Sequence, residues 1–149
     1  MLVDANILLY AVDTTSPFHL RSRDWLEDAI NGDRLVGLPW QSLHAFLRIA
    51  TNPRALTAPL EPTDAWQIVE TWLDAPSVWV PEPGPSHRSI LGQLISDHRP
   101  TANLLSDVAL AALCLEHGPL LGAAEVEHVA IAFHREPAKD SILRHRATS

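Results

Sequence analysis

Apolar and polar positions along the chain alternate between short hydrophobic runs and longer stretches with helical spacing. Residues 1–4 (MLVD) read as a short buried strand, and NILLYAVD after it is helical in composition. From Pro17 to Asn31 the residues Phe18, Trp25, Leu26, Ala29 and Ile30 fall near helical spacing, with a stop at Asn31-Gly32. Leu35 to Leu38 is a second strand. Pro39 opens a helix in which Leu43, Phe46, Leu47 and Ala50 recur at i, i+3, i+4 and i+7. Thr51-Asn52-Pro53 ends it, because the residue before a proline resists the helical region.

Glu61 or Thr63 caps the next helix, which carries Trp66, Val69, Trp72 and Leu73 on one side and stops at Asp74-Ala75-Pro76. Val78-Trp79-Val80 is a strand, followed by a loop from Pro81 to Pro85. Ile90, Leu91, Leu94 and Ile95 mark an amphipathic helix, and His98 to Thr101 a polar turn. Asn103 to His117 is apolar on nearly every side, the pattern of a central buried helix. Gly118 stands where a cap is needed. Leu120 to Ala123 is the next strand, and Val129 to Phe133 the last.

Short strands alternating with longer helices predict βαβ units: an α/β domain with a mainly parallel sheet flanked by helices on both faces. A chain of 149 residues is close to the usual single-domain size. The reading assigns 1–134 to one domain and 135–149 to a polar, basic tail.

Composition narrows the picture. Hydrophobic residues make up 46%, enough for a core, and charged residues 19%, too few for a disordered chain. The formal net charge of −7 does not advertise nucleic-acid binding through bulk electrostatics. A polyanionic substrate needs a local basic patch or bound cations. The single cysteine, Cys114, rules out an internal disulfide and reads as a small buried hydrophobe. The N-terminus lacks the basic region of a signal peptide, and no apolar run approaches membrane-spanning length. The expected setting is the cytoplasm.

The candidate chemistry is carboxylate chemistry. Asp4 ends a buried strand, where a carboxylate is costly unless paired or bound to a cation. Ligands of parallel sheets sit beyond the carboxyl ends of strands. Asp4 is therefore either a metal ligand or the N-cap of the helix beginning near Ala5. Asn6 is either a turn residue or the group that orients Asp4. Asp107, the sole charge between Asn103 and Leu115, lies in the first turn of an otherwise apolar helix. It either complements the helix dipole or meets a metal. Glu125 and Glu127 follow the strand Leu120 to Ala123 as Asp4 follows its own, with a solvated acidic turn as the alternative.

Carboxylates at the mouth of a sheet suit Mg²⁺ or Mn²⁺, hard ions that take oxygen ligands. The histidines, among them His44, His87, His98 and His117, are scattered and form no zinc pattern. No phosphate-binding glycine loop and no nucleophile elbow is present.

Three segments carry a resemblance: LVDANILLYA, LPWQSLHAFLRIATNPRA and NLLSDVALAALCLEHG. Together they resemble PIN-domain proteins, and more narrowly the VapC toxins of bacterial VapBC toxin–antitoxin systems, over nearly the whole chain to about Glu127. The resemblance implies a PIN-like three-layer α/β/α fold and a Mg²⁺- or Mn²⁺-dependent endoribonuclease that cleaves structured RNA. It also implies a cognate VapB-type antitoxin and a homodimer. In that scheme Asp4, Asp107 and Glu125 are the metal ligands, and together with Asn6, the polar residue beside Asp4, they are the catalytic residues.

The sequence departs from the family pattern at two places. Ala45 occupies the slot of the family's second acid, just before Phe46-Leu47-Arg48. Glu125 stands where an Asp is usual, which moves the carboxylate by about 1.5 Å, and His128 replaces an aromatic residue. These departures keep two other readings open: a PIN-like module that binds RNA or protein without cutting, and a metal phosphoesterase acting on DNA or a small phosphate ester.

Overall fold

A computed structural model describes residues 1–102 and 104–121, with the backbone alone for 119–121. Two compact units emerge: Val3–Val80, and Met1–Leu2 with the chain from Pro81 onward.

In the Val3–Val80 unit, two short strands pair in parallel, β1 (Val36–Gly37) and β2 (Val78–Trp79), with Val36 opposite Val78 and Gly37 opposite Trp79. Backbone N–H groups of Val36 and Leu38 donate to Ser77 and Trp79 at 2.9 Å. On the other edge of β1, Val3 N–H donates to the Gly37 carbonyl at 3.0 Å. Successive residues turn their backbone groups to opposite edges, so Val3 and β2 flank β1. The expected strand at residues 1–4 is thereby reduced to isolated bridges at Leu2 and Val3, both fully buried. Proline limits the sheet, because Pro39 and Pro81 follow the paired segments and have no N–H to extend a ladder.

Four helices belong to this unit: α1 (Ala5–Val12), α2 (His19–Ile30), α3 (Trp40–Ala50) and α4 (Pro62–Leu73). α1 packs on α2 and α3, and α3 packs on α4. α1 buries Ile7, Leu8 and Ala11, the i, i+1, i+4 face of an amphipathic helix. The predicted α3 face holds: Leu43, Phe46 and Ala50 are buried, and Leu47 is at the border. Thr51 closes α3, its hydroxyl donating to the Leu47 carbonyl at 2.8 Å.

α4 is rotated from the expected face. Ala65, Val69 and Trp72 are buried, whereas Trp66 is 40% exposed. The Trp72 ring meets Phe46 edge-on, with centroids 5.0 Å apart at 61°. That contact sets the rotation of α4 and turns Trp66 outward. Glu61 occupies the N-cap position with Pro62 after it, and its side chain makes no capping bond.

In the other unit, α5 (His87–His98) packs on α6 (Leu104–Leu121). Leu94 joins Val108, Ala111 and Ala112, with Ile90, Leu91 and Leu115 at the margin. Ile95, expected on the same face, is 39% exposed. α6 differs from expectation at its end: Gly118 does not cap it, and the helix runs on through Leu120 and Leu121, which were expected in a strand. A short apolar run reads equally as strand or buried helix. Among the described residues no helix is long and apolar enough to cross a membrane.

Candidate functional site

Asp4 follows Val3 directly and occupies the N-cap position of α1 in an extended conformation, φ −77° and ψ 150°. Its side chain makes no capping bond. The carboxylate instead accepts a hydrogen bond from Asn6 Nδ2 at Oδ2, 3.0 Å away. Of the two roles open to Asp4 in the sequence, capping is therefore not the one its side chain performs. The Asn6 amide, two residues on and exposed, holds one carboxylate oxygen in place.

The sheet explains what surrounds Asp4. Val3 and β1 are neighbours, and the chain leaves them in the same manner: Val3 leads through Asp4 into α1, and β1 leads through Leu38-Pro39 into α3. α1 and α3 pack together. α3 carries Ala45, half-buried, and its methyl supplies no oxygen ligand. Trp40 opens α3 with its ring over His44, centroids 5.6 Å apart at 33°.

Asp107 is half-buried in the first turn of α6, ahead of the fully buried Val108. Glu125, Glu127 and His128, like the tail from 135, lie outside the described residues. Among the described residues no three His, Cys, Asp or Glu side chains lie close enough to hold a metal ion. The donors in hand are a strand-end carboxylate and an amide that orients it. These oxygen donors match the preference of Mg²⁺ or Mn²⁺ and not that of a soft metal.

A further carboxylate was not singled out from sequence. Glu116 of α6 accepts the backbone N–H of Gly84 at Oε2 and of Ser86 at Oε1, both at 2.9 Å. His87 Nδ1 lies 3.5 Å from Oε2, and His117 Nε2 lies 2.9 Å from the Glu82 carbonyl. The Gly84 N–H, seconded by Ser86 and the two histidines, holds the Glu116 carboxyl below its ordinary value, against the opposing effect of burial. A Cβ at Gly84 would come within 2.7 Å of Glu116 Oε1, so any larger residue there would displace the end of the Glu116 side chain. The available signal was an acid in an apolar helix, the same signal that marked Asp107. Its partners lie some thirty residues away, beyond the reach of local pattern.

The PIN domain family model matches residues 1–121. Ribonuclease VapC33 of Mycobacterium tuberculosis is 37% identical over 132 residues, covering 89% of this chain and 92% of the relative. Ribonuclease VapC37 of the same organism is 43% identical over 116 residues, covering 78% and 81%. VapC ribonuclease Mb2897 of Mycobacterium bovis is 39% identical over 117 residues, covering 78% and 80%.

Proposed function

The chain belongs to the PIN-domain family, among its VapC members, and on that premise we propose that it is a divalent-metal-dependent endoribonuclease, the toxin of a toxin–antitoxin pair. One observation carries the reading most directly: the Asp4 carboxylate, at the end of a buried strand, is held by Asn6 and is not used to cap α1.

In this reading Asp4, Asp107 and Glu125 hold Mg²⁺ or Mn²⁺, and Asn6 fixes the orientation of Asp4. Held there, such an ion would lower the pKa of a bound water and offset charge on the phosphoryl oxygen. The chain's own contribution is placement, since carboxylates set on a strand end and a helix first turn are stiffer than any loop. RNA is the substrate, a VapB-type antitoxin the partner, and a homodimer the working form in the cytoplasm. Residues 1–134 form the domain and 135–149 its tail.

The test is cleavage of RNA by the purified protein with Mg²⁺ or Mn²⁺. Asp4→Ala and Asp107→Ala are each expected to abolish it. Cleavage that persists in both variants refutes the site. Ala45 favours one second reading, a PIN-like module that binds without cutting. The absence of both Mn²⁺ binding by calorimetry and cleavage of any RNA would select it.

A further inference from the structure

Resting on the ribonuclease reading, we propose that the outer face of α3 is the track along which single-stranded RNA reaches Asp4, with Trp40 stacking on a base and Arg48 meeting a phosphate.

Trp40, His44 and Arg48 stand at i, i+4 and i+8, on successive turns of one helix face, and all three are exposed. Trp40 is 38% exposed although it is a large apolar side chain. A single exposed tryptophan needs no explanation. Here, however, the ring is propped by His44 at 5.6 Å, which presents an aromatic surface of defined orientation. The stripe rises by roughly 12 Å along the helix, several times the ~3.4 Å stacked rise of a nucleotide.

Charge singles out the same helix. The chain carries a formal net charge of −7. α3, with the sequence WQSLHAFLRIA, holds one arginine, one histidine and no acid. Of its companions in this unit, α2 and α4 carry acids, and α1, itself uncharged, is flanked by Asp4 and Asp13. A polyanion approaching this unit meets least repulsion along α3. Aromatic faces interleaved with cations are what sequence-tolerant single-strand binding requires.

Position completes the argument. Trp40 is the first residue of α3, just past β1, and β1 is hydrogen-bonded to Val3, the residue before Asp4. Strands in a sheet are about 4.8 Å apart. The N-terminal end of α3, where Trp40 stands, therefore follows a strand that neighbours the one leading into Asp4, and Arg48 stands two turns further along the helix. Trp40 and Arg48 bind and position RNA and take no part in the chemical step.

The experiment measures steady-state cleavage of an unstructured RNA by the full chain. It also measures RNA binding by fluorescence anisotropy in the presence of EDTA. Trp40→Ala is expected to raise KM and Kd roughly five- to twentyfold, the lower part of the range for loss of one base stack, with kcat little changed. Trp40→Phe should restore most of the affinity. Arg48→Ala should lower the slope of log Kd against log salt by about one. Unaltered melting curves would show that the variants fold, as their exposure requires.

If the parent protein cleaves RNA while both alanine variants keep its KM and Kd, the track is refuted and the ribonuclease reading stands. If the parent protein cuts no RNA, that reading fails, and EDTA binding alone decides the track. Loss of dimerisation in Trp40→Ala with RNA binding intact would make this face a protein contact and overturn the proposal.

Discussion

Replacing Asn6 by alanine removes one bond, the 3.0 Å hydrogen bond from its amide to Asp4 Oδ2. Asn6 is exposed and Asp4 is half-buried, so water competes for both groups. Hydrogen bonds to charged groups are worth about 1.5–3 kcal/mol when well shielded, and an exposed one falls to about 1 kcal/mol. At 1.4 kcal/mol per factor of ten, that is roughly a fivefold effect. Partners that orient a metal ligand usually contribute ten- to a hundredfold, so this site falls at or just below the low end. Calorimetric titration with Mn²⁺ should thus show Asn6→Ala binding roughly five- to tenfold more weakly. The Mn²⁺ concentration for half-maximal RNA cleavage should rise by the same factor, while fold stability moves by less than about 0.5 kcal/mol. Asn6→Asp supplies the contrast: a second carboxylate beside Asp4 raises the proton affinity of the pair, so Mn²⁺ binding should strengthen steeply with pH. If Asn6→Ala binds Mn²⁺ as the parent does, Asn6 does not orient a metal ligand and the role assigned to the Asp4–Asn6 pair is wrong.

Two further outcomes follow from the packing. Phe46→Ala, at a fully buried ring, should lower unfolding free energy by about 3–5 kcal/mol in urea titrations, whereas Trp66→Ala at an exposed one should change it by less than about 1 kcal/mol; equal losses would refute the rotation of α4. Glu116→Gln should destabilise the protein at neutral pH, and thermal melts should show the gap closing in acid. The sign follows from linkage: the folded-state pKa lies below the ordinary 4.5, so the stabilisation is present above that value and lost as pH falls through the folded one. A gap independent of pH would show that the Gly84 and Ser86 N–H groups do not favour the charged form.

Helix existence was legible from apolar spacing, because α1, α2, α3 and α5 each present one stripe that period alone identifies. Rotation was less legible. Trp66 and Ala65 are adjacent, and choosing between them depends on Phe46, a residue of another helix. The end of α6 failed for a related reason: Leu120-Leu121 is too short for periodicity to separate helix from strand. At the candidate site, Asp4 was legible because a charge at the end of a buried strand is conspicuous, and Asn6 because it lies within local reach. Glu116 was passed over because its ligands are backbone amides of Gly84 and Ser86, and amides leave no mark on a sequence.

Cys114 lies fully buried within α6, and burial pushes its thiol above the ordinary value, away from the reactive thiolate. It is the only cysteine in the chain. The native protein is thus nearly silent towards maleimides and methanethiosulfonates, with no background to engineer away. A cysteine introduced at an exposed position, such as Gln41 or Thr71, would take a fluorophore or spin label selectively, and distances from it to a labelled RNA end could be read in the otherwise unaltered chain.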